Sequence, residues 1–496
     1  MTPLTALPQF PWLSLLIGLP LAGALLCLLQ RRSVGECRWL ALATTLATLA
    51  VSAGLFVAHG DGQSGWLLRE DADWIPSFGI RYTLALDGIS LLLVLLTAFL
   101  HTIAVLIAWP EQRRAPLFMA LLLILESGLM GVFLAVDLVL FYLFWEVMLL
   151  PMVFLIGIWG EAERRRAAVR FFLYTLAGSL AMLIAMLALF LLHFEQSGSY
   201  SFALGDLMQT RLTLTQEYLL FGGFMLAFAI KAPLVPFHTW QPDALSESPA
   251  VGSVDVTGLL LKTGIYGMIR FAFPLFPNAT RDCLPVLAGL ALLGLFHAAW
   301  VAYRQEDVKR ILAYSSISHL GLVLLGLAAW NVTAWQGSLL LMVSHGIVTG
   351  ALFAVVAMLR SRTGTRELAG LGGLWGAVPC LSAFFLFFAL ASLGLPGLAN
   401  FVGEILVLLG TFRAQPLWAV LALPGLVLAA AYLLRLVQRT LWGPASAARG
   451  VIHDLTPREW LVLVPLALLT LWLGLHPAPF LAPLAGPLQA VFGGLP

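Results

Sequence analysis

Residues 226–242 read LAFAIKAPLVPFHTWQP. Lys231 stands inside an apolar run, and Pro233 and Pro236 follow it closely. Proline removes a backbone donor and kinks or breaks a helix. In a soluble protein such a stretch would read as a loop. The rest of the chain forbids that reading. Of 496 residues, 60% are apolar and 10% are charged, and mean hydropathy is +0.95. A soluble domain is nearer half apolar and a quarter charged. A soluble globular enzyme is therefore excluded, as are a disordered chain, a collagen-like chain and a disulfide scaffold. The stretch is a broken membrane-spanning helix. Such breaks survive only where protein or water satisfies the freed backbone groups.

Working outward, apolar runs alternate with short polar punctuation. A spanning helix needs about 20 apolar residues. The spacing predicts fourteen spans, at roughly 11–29, 39–58, 86–109, 116–136, 138–159, 170–193, 217–240, 255–273, 283–303, 309–329, 333–360, 373–412, 416–441 and 459–476. The run 373–412 is also broken, at LGLPGLANFVGE (393–404), just before Glu404. Paired broken segments, each beside an ionisable residue, point to inverted repeats around a mid-membrane site. The stretch MTPLTALPQFPW lacks a basic leader region, so no cleaved signal peptide is expected. The apolar, Pro-rich residues from about His476 onward are expected along the membrane surface. Nineteen basic residues fall on one set of loops and six on the other. The positive-inside bias puts the first set in the cytoplasm and both termini outside. The cysteines Cys27, Cys37, Cys283 and Cys380 form no C-x-x-C pair, so zinc and iron–sulfur sites have no support.

The two remaining basic residues are Lys231 and Lys262, the latter in GLLLKTGIYG (258–267). The chain has 24 arginines and three lysines, yet two of those lysines lie inside spans. Arginine holds its proton in a protein, whereas a buried lysine can release one. Glu146, in DLVLFYLFWEVMLLP (137–151), and Glu404 are the acidic counterparts. Unpaired, these four charges would cost about 10–14 kcal/mol, which rivals the net stability of a typical protein. Pairing or hydration must offset that cost, and Glu146 is expected near Lys231. Glu126, in LLLILESGLMGVF (121–133), is either a structural carboxyl bonded to a neighbouring helix or part of the same route. His319 and His345 sit in consecutive spans and titrate in the range a proton relay needs. His238 is placed at a channel mouth or the interface, and His297 has no legible partner. No phosphate loop, haem motif or metal cluster is present in the sequence.

Four stretches together carry a resemblance: LFWEVMLLPMVFLIGIWG (143–160), KAPLVPFHTWQPDALSESPAVGSVDVTGLLLKTGIYGMIRF (231–271), EDVKRILAYSSISHLG (306–321) and LPGLANFVGE (395–404). The chain resembles the antiporter-like membrane subunits of respiratory complex I, and within them the NuoM type (chain M) of bacterial NADH:quinone oxidoreductase. The resemblance implies an all-α polytopic membrane protein of about fourteen helices with two inverted five-helix repeats, each containing a broken helix. Helices 1–3 would occupy residues 1–115, the repeats 116–273 and 283–441, and helix 14 with a membrane-surface segment 442–496. It implies that Glu146 pairs with Lys231, that Lys262 is the central relay, that His319 and His345 continue the route, and that Glu404 ends it. Sister subunits carry lysine at that last position and the M type carries glutamate, as here. The implied function is proton translocation coupled to NADH oxidation and quinone reduction elsewhere in the complex. Flavin, iron–sulfur clusters and quinone are then expected in partner subunits and no cofactor in this one. Partners would be the other membrane subunits, with sister antiporter-like subunits on either side, and lipids, but no nucleic acid. The implied location is the bacterial inner membrane, with both termini periplasmic. The alternative from another class is a subunit of a multi-subunit Na+/H+ antiporter. One departure is QPDALSESPA (241–250), where many members read LPDAH.

Overall fold

Helix starts are written in the sequence as short polar residues ahead of apolar runs. Asp307 accepts from the backbone N–H of Lys309 at 2.8 Å, and Asp137 caps the helix from Leu138 in the same way. Asp87 and Asn331 do so for two more helices. Thr213 with Gln216 and Thr456 with Glu459 form capping boxes. Each side-chain oxygen satisfies a first-turn donor that would otherwise be orphaned. The computed structural model describes residues 10–29, 34–444 and 452–492. Arg31, Arg32 and Arg449 of the orientation count, and most of MTPLTALPQFPW, lie outside the described residues.

Among the described residues, twelve helices are long and apolar enough to cross a membrane. They often overrun the apolar segments. The helix Arg164–Ser197 begins three basic residues deep in what reads as a loop, because backbone hydrogen bonding continues where hydropathy stops. The expected single helix over 138–159 divides at Met148 into Leu138–Val147 and Leu149–Trp159. The two segments read as broken are broken. One runs Leu214–Lys231 and resumes at Phe237; the other runs Pro379–Ser392 and resumes at Ala399–Ala414.

The all-α expectation needs one addition. Leu68–Ile75 and Ile80–Leu86 form an antiparallel hairpin, turned at Pro76–Phe78 with Gly79 at φ +64°. Glu70 on the first strand accepts from the backbone N–H of Leu13 at 2.6 Å and of Ser14 at 3.0 Å. The hairpin therefore caps the first helix with a carboxylate from outside it.

The helix Val332–Thr363 is the axis: its apolar window is 100% buried, against 33% for Pro416–Trp442 and Pro457–Leu475. The outer helices turn their remaining surface to lipid or to a neighbour. Lipid removes the hydrophobic drive between helices, so close contact depends on small residues. A Cβ added to Gly337 would lie 2.5 Å from Val407 N, and one on Gly403 2.8 Å from Leu341 Cβ. Those glycines lock the axis to Ala399–Ala414. The C-terminal turns Ala478–Leu481 and Ala485–Phe492 fold back over helix ends. Gly88 packs under the carbonyl of Pro483, and the Phe492 ring sits 5.1 Å from that of Trp335.

Candidate functional site

Lys231 is the last residue of its helix, and the chain beyond it leaves helical geometry at Ala232. The carbonyls freed there find partners. Ala232 N–H bonds Phe228 O, Leu234 N–H bonds Ala229 O, and the buried Trp240 indole donates to Ile230 O at 2.9 Å. The second break is built alike. Leu393 N–H bonds Ala389 O, and the Ser392 carbonyl meets His319 Nε2 at 2.9 Å. Each break thus has one capping aromatic or imidazole ring beside its ionisable residue.

The four residues from Lys262 to Glu404 come together. Lys262 is 0% exposed, and its Nζ lies 3.0 Å from His345 Nδ1 and donates to the carbonyl of Thr257. That carbonyl belongs to a π-helical turn, Val256–Leu260, which re-spaces the helix just before the lysine. The His345 and His319 rings are 5.4 Å apart between centres. His319 Nε2 is 3.8 Å from Glu404 Oε1. Ser315 accepts from Tyr432 at 2.8 Å, and its carbonyl meets His319 Nδ1 at 2.8 Å, which fixes the ring. Glu404 reaches back over the second break, where its Oε2 would touch any Cβ on Gly394. A small cavity lined by Ser318, His319, Ser392 and Glu404 adjoins it. Every link joins groups able to give or take a proton.

Glu146 and Lys231 make no direct ion pair among the described residues, although the Glu146 charge acts on Lys231. Both Glu146 Oε1 and Lys231 Nζ are buried without a hydrogen-bond partner among the described residues. The ammonium instead lies 4.9 Å from the centre of the Trp145 ring, whose indole donates to Ser179. An aromatic face offsets part of the cost of a buried cation. Glu146 itself is half-buried at an edge where Leu143, Leu150 and Phe154 are exposed. The approach of Lys231 to Lys262 runs through backbone: a Cβ on Gly264 would lie 2.8 Å from Ala232 N.

Sequence reasoning missed Lys309 by counting it among loop residues. It is 2% exposed; its Nζ donates to Ser248 O at 2.7 Å and lies 3.7 Å from Glu161. The rarity of lysine was the available signal, since all three are buried. Around it, Asp243 of the QPDALSESPA stretch is clasped by Arg170 and Arg310, and Arg366 bridges Asp307 and Glu247 at 2.7 and 3.1 Å. His297 does have a partner: its ring lies 5.1 Å from that of His238. Glu126 is 0% exposed, and both its oxygens are without a hydrogen-bond partner among the described residues.

The sequence model of the NADH:quinone oxidoreductase/Mrp antiporter transmembrane family matches residues 135–429, which contain Glu146, Lys231, Lys262, His319, His345 and Glu404. NADH-quinone oxidoreductase subunit M of Escherichia coli (strain K12) is 42% identical over 486 residues, covering 95% of each chain. A chain in the structure of respiratory complex I from Thermus thermophilus with bound NADH superposes with a TM-score of 0.88 at 35% identity, covering 97% of this chain and 100% of that one. A chain of the Mrp complex from Dietzia sp. DQ12-45-1b shares the fold alone, at 23% identity and TM-score 0.81, covering 96% of this chain and 52% of that one. The relatives match nearly end to end, and the broken helices and buried charges lie within the matched region: the chain belongs to the family of M subunits of NADH-quinone oxidoreductase.

Proposed function

We propose that this chain is a proton-translocating membrane-arm subunit of NADH:quinone oxidoreductase. The observation that carries the reading is the buried line Lys262–His345–His319–Glu404, with successive groups at 3.0 Å, 5.4 Å between ring centres, and 3.8 Å. A buried charge with no catalytic or transport use is selected against by its cost. Here four titratable groups follow one another across four helices, the last of them the resumed half of the second broken segment. Lys262 is the central exchanger. His345 and His319 pass the proton, and Glu404 holds it at the second break. Lys231, on its aromatic seat, is the exchanger of the first half. Glu146 sits at the uncovered edge, where a neighbouring membrane subunit completes its surroundings and its charge biases Lys231. The two halves are residues 116–273 and 283–441, related as inverted repeats, after helices in 1–115 and before 442–496. The basic loops face the bacterial cytoplasm and both termini the periplasm. Flavin, iron–sulfur clusters and quinone belong to partner subunits.

The test uses inverted membrane vesicles from cells carrying or lacking this chain, in sodium-free buffer. NADH-driven proton uptake should be lost without the chain and return with it. Proton uptake that needs a sodium gradient and ignores NADH would replace this reading with the Na+/H+ antiporter one.

A further inference from the structure

We propose that Asp87, Tyr266 and Arg270 form an insulating plug: it keeps the proton of Lys262 from discharging at the end of the bundle that carries the hairpin, so that the proton leaves sideways, toward His345 and Glu404. This rests on the relay reading above. Lys262, Tyr266 and Arg270 follow one another at intervals of four residues in the span Ala250–Leu275. Residues four apart are neighbours on one helix face, and each interval is about 6 Å along the axis. Tyr266 and Arg270 therefore stand between the lysine and the hairpin end. The π-helical turn Met268–Ala272 carries Arg270.

The plug is bonded to each wall around it. Tyr266 is 0% exposed, and its hydroxyl donates to the carbonyl of Phe133, on the helix Ala115–Leu134, at 2.9 Å. Arg270 Nε donates to the same hydroxyl at 3.1 Å, and Ser90 Oγ lies 3.1 Å from it. A phenol has one proton to give. That proton is spent on Phe133, and Arg270 and Ser90 fill the acceptor side of the oxygen. An arriving proton finds no free place on Tyr266. One turn further out, Arg270 Nη2 donates to Asp87 Oδ2 at 2.5 Å. Asp87 Oδ1 meanwhile accepts from Ser90 N–H at 2.9 Å and so caps the helix Gly88–Ala108. The guanidinium also lies 4.9 Å from the centre of the Trp66 ring, just before the hairpin. The Arg270 and Asp87 side chains are 12% and 7% exposed, so this pair is the outer layer and Tyr266 the inner one.

The residue types decide between an exit and a plug. A relay group must take up a proton and release it, and arginine holds its own. A fixed arginine in a narrow passage is also an electrostatic barrier to protons. Asp87 is bound to the guanidinium and holds it in place; it has no contact with Lys262. On the other side of Lys262 the neighbour is His345, with Nδ1 at 3.0 Å from Nζ, a group that can exchange. Lys262 thus has an exchanging partner sideways and a non-exchanging stack above it.

The experiment uses the intact complex in proteoliposomes without NADH, at matched complex content. A potassium gradient with valinomycin imposes a potential, and an enclosed pH dye reads passive proton entry. Arg270→Ala should raise this leak about tenfold, equivalent to about 1.4 kcal/mol off the barrier. It should also lower protons per NADH while NADH oxidation continues. The leak should return to the wild-type level in the double variant Arg270→Ala, Lys262→Ala, because it must pass through Lys262. A leak that persists in the double variant reports a damaged bundle and overturns the plug. If Arg270→Ala does not assemble, Arg270→Gln, which keeps a donor toward Asp87, decides on the same readings. A tight Arg270 variant beside an impaired Lys262→Arg overturns the plug alone. Wild-type translocation in Lys262→Arg overturns the relay reading and the plug with it.

Discussion

Lys262→Arg gives a complex that assembles but translocates protons at least about tenfold more slowly through this chain. A proton-transfer group typically contributes about 10²–10⁴-fold to the step it serves. Arginine keeps the positive charge and can still donate to the Thr257 carbonyl and to His345, the two partners of Lys262 Nζ. It does not give up its proton. A structural cation would tolerate the change; a relay would not. The larger guanidinium must fit a site that is 0% exposed, so complex content is measured alongside, with Lys262→Ala as the variant that loses both charge and exchange. Near-normal protons per NADH in Lys262→Arg would make Lys262 a structural cation.

The second large effect comes from a residue with no side chain. Gly394 has φ +79°, and a Cβ there would lie 2.1 Å from Glu404 Oε2. Alanine in that conformation costs about 1–2 kcal/mol, and forcing an atom into a packed site typically about 1–3 kcal/mol more. Gly394→Ala should therefore destabilise by about 2–5 kcal/mol. It should also push the Glu404 carboxylate off His319 and lower translocation as Glu404→Gln does. Gly364 supplies the control. Its φ is +72°, with nothing within 4 Å of an added Cβ. Gly364→Ala carries the backbone cost alone and should pump normally. Thermal shift and translocation, measured on both variants, separate strain from displacement. Equal behaviour of the two would show that the Glu404 contact does not matter.

The line from Lys262 to Glu404 was legible because membrane burial makes each charge conspicuous in an apolar run. What pairs with what was not legible. Cost alone demanded a partner for Lys231 and suggested Glu146, but the structure seats the ammonium on Trp145, an apolar-looking residue with a polarised face. The π-helical turn before Lys262 has no periodicity signal of its own, since it differs from an α-turn by one residue of spacing. The hairpin at 68–86 turns at Pro-Ser-Phe-Gly, yet its many charges read as a plain loop. Its function as a cap on the first helix depends on a contact between Glu70 and residues 13–14, over fifty positions away.

The concealment of Lys231, Lys262 and Lys309, at 1%, 0% and 2% exposure, has a chemical corollary. No side-chain amine of the folded chain is open to acylating labels, amine cross-linkers or lysine-cleaving proteases. Reagents that mark lysines on neighbouring subunits leave the side chains of this one bare, and its outer face answers instead to arginine-, carboxyl- or thiol-directed chemistry, Cys380 being exposed. An acyl group found on any of the three therefore reports a moment when the bundle opened.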